Sequence, residues 1–99
     1  MAKDEVARLL RQIRMERGAS MRQVARQVGV DPSYVSRVER GEKQASATFR
    51  QRLAQHYHLR ADDLDLAAGE VPPDITAILK AHPELLTELR ERFSDDART

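Results

Sequence analysis

Residues 21–41, MRQVARQVGVDPSYVSRVERG, constrain the fold more than any other stretch. They require two short helices meeting at a fixed break. Val24, Ala25 and Val28 fall on one face at helical spacing. Ala25 is small where a crossing helix must approach closely. Gly29 follows at once, where the helix stops and a positive φ is needed. Val30 then turns inward. Asp31 is a good N-cap and Pro32 a good first helical residue. The second helix places Val35 and Val38 inward and Ser33, Tyr34, Ser36 and Arg37 outward, and Gly41 ends it.

That outward set is hydrogen-bonding and basic, on a short helix with a fixed inner face. Such a helix suits the DNA major groove, which admits one helix and presents donors and acceptors to side chains. At Ala25, Gly29, Val30 and the run Tyr34-Val35-Ser36-Arg37-Val38-Glu39-Arg40-Gly41, the chain resembles the Cro/repressor (XRE) type of helix-turn-helix DNA-binding domain. YVSRVERG is the most specific part. The resemblance extends from about Leu9 to Leu66.

The rest of the chain also reads as helical. Asp4 to Arg17 carries Val6, Leu9, Leu10 and Ile13 as a stripe, with Arg8, Arg11, Arg14 and Arg17 on the other side and Gly18 as terminator. Ser20 and Gln23 form a capping-box pattern. Glu42 to Ala45 is a polar loop, and Ser46 caps a helix to about His58 with Phe49, Leu53, Ala54 and Tyr57 inward. Relatives often have an apolar residue at the place of Arg50, which implies packing shifted by one position onto Phe49. Ala61 to Ala68 is a short helix with Leu64 inward, ended by Gly69. Val71-Pro72-Pro73 punctuates the chain. Two further helices follow, Asp74 to Ala81 and Glu84 to Phe93, then a frayed polar end, SDDART. The expected fold is all-α: a five-helix repressor-type domain over residues 1–69 and a two-helix C-terminal extension over residues 70–99.

Net charge hides a division. Residues 1–60 hold 13 Lys/Arg against 6 Asp/Glu, and residues 61–99 hold 4 against 10. The basic part fits a polyanionic partner. The chain has no Cys, so it has neither a disulfide framework nor a Cys-based metal site. No apolar run is long enough for a membrane span. The opening Met-Ala-Lys-Asp-Glu is too charged for a signal peptide. The expectation is a cytoplasmic protein without cofactor or metal. His56 and His58, two apart on a helix, make a poor metal pair, and no Ser/His/Asp arrangement or phosphate loop points to an enzyme.

The resemblance also implies roles. The base-facing positions are Pro32, Ser33, Tyr34 and Arg37. Pro32 offers only apolar contact. Ser33 donates or accepts, Tyr34 stacks or donates to a phosphate, and Arg37 can make two bonds to guanine. Arg37 on a phosphate, or in an intramolecular pair, is the alternative. Many relatives have a phosphate-clamping Gln at the place of Met21. Ser20 and Arg22 stand in for it here, with Arg40 and Lys43 completing the phosphate set. An Arg14–Glu39 ion pair joins the first helix to the recognition helix.

The extension's Ile75, Ile78, Leu79, Leu85, Leu86, Leu89 and Phe93 are too many apolar residues for two short helices to hide. They either pack back on the same domain or pair between subunits. The functional expectation is a homodimeric regulator of double-stranded DNA, a repressor on a (pseudo)palindromic operator. The alternative is an antitoxin-like interaction module whose extension binds another protein.

Overall fold

Between its loops the sequence repeats at helical spacing, and the described residues form helices and no strand. The structure, a computed structural model, describes the backbone of residues 2–98 and the side chains of residues 3–94. Its helices are α1 (Ala2–Glu16), α2 (Met21–Val28), α3 (Pro32–Glu39), α4 (Ala47–Tyr57), α5 (Ala61–Ala67), α6 (Pro73–Ala81) and α7 (Glu84–Arg98).

Short helices depend on their ends, because the first N–H and last C=O groups have no partner within the helix. At the start of α2, Ser20 Oγ accepts from the Gln23 N–H at 3.1 Å, and Gln23 Oε1 accepts from the Ser20 N–H at 2.7 Å. Gly29 ends α2 at φ 73°, and its N–H reaches the Ala25 carbonyl. Asp31 caps α3 and Ser46 caps α4, each through its side-chain oxygen. His58 closes α4 in the left-handed region at φ 56°.

Caps fix where each helix begins and ends, and apolar faces then decide how the helices meet. Val6, Ala7, Leu10 and Ile13 of α1, Val24, Ala25 and Val28 of α2, and Val35 and Val38 of α3 are buried. All of these but Ala7 meet Phe49, Leu53, Ala54 and Tyr57 of α4 and Leu64 of α5 in one core. Each fully buried Val, Leu or Phe contributes about 1.5–3 kcal/mol. The α1 stripe is rotated from the expected one: Ala7 is buried and Leu9 only half-buried. Arg14 is drawn in to half-burial, and Arg17, though exposed, folds over α4. Arg17 donates to the Tyr57 carbonyl at 2.9 Å and lies over that ring.

Arg50 and the end of the last helix also depart from the sequence expectations. Phe49 is inward, but Arg50 is buried as well, at 2% exposure. The position is not shifted; it carries a charge held by carboxylates. At the C-terminus, α7 runs on to Arg98 where the spacing predicts an end at Phe93. Ser94 to Arg98 contain no Gly or Pro to stop it; Thr99 lies outside the described residues.

The core ends at Ala68. Helices α6 and α7 pack on each other, with Leu79 and Leu85 half-buried, and among the described residues neither contributes to the core.

Candidate nucleic-acid interface

Helix α3 is fixed on its inner face and at both ends, which leaves one face presented. Val35 and Val38 anchor it from inside. At its start, Asp31 Oδ1 accepts from the Ser33 N–H at 2.8 Å and from Ser33 Oγ at 2.7 Å. The Ser33 hydroxyl, and then its N–H, hold the Asp31 carboxyl below its ordinary value. A depressed carboxyl pKa adds stability above the unfolded value and loses it as pH falls through the folded value. The cap therefore weakens only in acid, below about pH 4. Asn is an equally good cap without a charge. Asp31→Asn should keep the fold and shed part of the acid dependence, read from melting temperature against pH.

At the other end, Glu39 is fully buried in its side chain. Arg14 Nε donates to Glu39 Oε2 at 2.7 Å and Arg14 Nη2 to Oε1 at 3.0 Å, a two-pronged pair. Arg14 Nη1 donates to the Ala19 carbonyl at 3.2 Å. The bond to Glu39 raises the Arg14 pKa against the opposing effect of burial. Arg11 lies on the solvent side of the same carboxylate, 3.8 Å away. One carboxylate thus ties the end of α3 to α1.

The presented face holds Ser33 and Arg37, four residues apart and both exposed. Tyr34 departs from the outward placement. It is half-buried, its ring stands edge-on to Phe49 at 5.2 Å, and its hydroxyl accepts from the Ser46 N–H at 2.9 Å. It braces α3 against the start of α4, and the hydroxyl keeps its own proton to donate. Ser36 is also half-buried.

Ser20 and Arg22 are exposed at the start of α2, while Met21 between them packs against the core. Arg40 and Lys43 are exposed after α3. Arg40 is paired with Glu42 at 2.9 Å, an exposed contact worth little and easily exchanged for a phosphate. The apolar residues of the extension separate into two sets. Leu79 and Leu85 lie half-buried, and Ile75, Ile78, Leu86, Leu89 and Phe93 are exposed.

Arg50 was missed as a structural residue. Its Nη1 donates to the Ala45 carbonyl at 2.6 Å, Nε to Asp65 at 3.0 Å and Nη2 to Glu70 at 2.6 Å. The available signal was an Arg at an inward helical position with acidic residues downstream, but nothing local pairs them. Among the described residues, no helix is long and apolar enough to cross a membrane.

A family model for a helix-turn-helix domain matches residues 5–67. The fold is similar to that of an HTH_3 family transcriptional regulator from Vibrio cholerae, with TM-score 0.58 and 23% identity. That match covers 65% of this chain and 36% of the Vibrio chain. It is also similar to the clp gene regulator ClgR from Corynebacterium glutamicum, with TM-score 0.61 and 23% identity over 93% of this chain and 94% of that one. No curated protein matches.

Proposed function

This chain belongs to the helix-turn-helix family, and on that premise we propose that it is a sequence-specific regulator of transcription. In this reading it binds double-stranded DNA as a homodimer on a (pseudo)palindromic operator and represses by occupying it. One observation carries the reading: α3 is pinned at both ends and along its inner face, and its free face offers Ser33 and Arg37. A helix held this way enters the groove without having to be ordered first, so its contacts are not offset by that cost. Arg37 is the base reader. Ser33 assists it, and Tyr34 donates its hydroxyl at the groove edge. Ser20, Arg22, Arg40 and Lys43 hold phosphates, which supply affinity but no direct sequence information.

The roles separate in a binding experiment. Arg37→Ala should cost about 1–3 kcal/mol and relax a single base position. Lys43→Ala should weaken all duplexes alike and lower the salt slope by about 1. Titrating both variants on operator and scrambled duplexes at several salt concentrations checks this. Uniform weakening by Arg37→Ala would reassign that residue to a phosphate.

The dimer reading is supported by the extension. Its exposed apolar residues recur at helical spacing, Ile75 and Ile78 on α6 and Leu86, Leu89 and Phe93 on α7. They lie outside the core. A dimer places two recognition helices about 34 Å apart, in successive major grooves. The same exposed acidic extension supports the second reading, an antitoxin-like module in which another protein covers it. A chain that sediments as a monomer at tens of micromolar favours that second reading.

A further inference from the structure

We propose that Arg50 is a positioning residue. Through Glu70 it sets the angle at which the extension leaves the DNA-binding domain, and thereby the half-site spacing the dimer accepts. This rests on the dimer reading above.

Only a short joint separates α5 from α6, and most of it is already stiff. The Gly69 N–H bonds the Leu66 carbonyl at 2.9 Å, and the Glu70 N–H bonds the Asp65 carbonyl at 2.9 Å, closing the end of α5. Pro72 and Pro73 restrict φ on the far side. Between them only the Glu70–Val71 link remains, with both side chains exposed. The buried Arg50 guanidinium takes hold there, bonding Glu70 at 2.6 Å while Asp65 and the Ala45 carbonyl fix its other edges. The planar fork makes the grip directional, which a Lys ammonium would not. Ala45 ends the loop that carries Lys43, and Gln44 of that loop donates to the Ala68 carbonyl at 3.5 Å. One side chain therefore fixes the extension relative to the loop that follows the recognition helix.

Glu70→Ala isolates this role. The Glu70 side chain is 59% exposed, and Arg50 keeps Asp65 and the Ala45 carbonyl, so the fold should melt unchanged. Glu70→Gln retains an acceptor oxygen and should rescue. The chain has no Cys, so Gln51→Cys and Glu91→Cys allow clean spin labelling of α4 and α7, with labelled subunits diluted into unlabelled ones. The expected result is a narrow distance distribution in the parent, a broad one in Glu70→Ala and a narrow one again in Glu70→Gln. An equally narrow distribution in Glu70→Ala overturns the proposal, whatever the oligomeric state. On inverted repeats of varied spacing, the parent should prefer one spacing. Glu70→Ala should accept its neighbours at similar affinity with half-site binding unchanged. A parent that binds single half-sites only, with no spacing preference, sinks the dimer reading and the spacing role together. A parent with a spacing preference that Glu70→Ala keeps sinks the Arg50 role alone.

Discussion

Glu39→Ala should unfold most of what holds this small domain together, costing about 3–5 kcal/mol. Domains have only about 5–15 kcal/mol to lose. The effect comes from burial. The Glu39 side chain is fully buried and Arg14 is 18% exposed, so removing the carboxylate strands a desolvated guanidinium. The substitution also frees the end of α3 from α1, leaving Val35, Val38 and the Tyr34 brace to hold the helix. At about 4–8 °C per kcal/mol for a chain of this size, the midpoint should fall by roughly 12 °C or more. Thermal melts of Glu39→Ala and Arg14→Met read this directly. A double variant, Arg14→Met with Glu39→Leu, should recover much of the loss, because an apolar pair of similar volume is often as stable as a buried ion pair. Glu39→Ala melting like the parent would remove the pair from the account.

Leu86→Glu combined with Leu89→Glu should produce the largest change in binding. Both residues are exposed on the single chain, at 42% and 48%, and lie outside the core. The monomer fold should therefore survive, while a carboxylate pair placed in an apolar seam prevents pairing. Losing the second half-site removes its effective concentration, worth about 10²–10⁴ in avidity. Operator affinity should fall by that factor, affinity for an isolated half-site should not change, and the sedimenting species should drop from dimer to monomer. Retention of the parent's operator affinity would mean that these leucines do not form the subunit seam.

What was legible in the sequence was mostly what short-range physics determines. Ser20 with Gln23, Gly29, Asp31-Pro32 and Ser46 announce helix ends because a cap is written within three or four residues of the group it satisfies. Val24, Val28, Val35 and Val38 announce inner faces by spacing. The Arg14–Glu39 contact spans 25 positions, and no local rule pairs them; the family resemblance did. Arg50 was hidden for the same reason, since Asp65 and Glu70 reach it only once α4 and α5 have packed. Tyr34 reads as outward from its helix position, yet the start of α4 supplies a ring and an N–H that draw it in. At the C-terminus the backbone stays helical past Phe93, because polarity alone does not end a helix. The candidate DNA face was legible by a different route. Ser33 and Arg37 stand out because Val35, Val38 and Glu39 are taken into the interior and Tyr34 is held by α4.

The central claim is that one pinned helix per subunit reads one half of a symmetric site. Selection of bound duplexes from a random pool, at about 150 mM salt because affinity depends steeply on it, tests that claim most directly. The expected result is enrichment of an inverted repeat with a fixed centre-to-centre spacing, containing one position per half-site that Arg37→Ala relaxes. No enrichment of any sequence would contradict it.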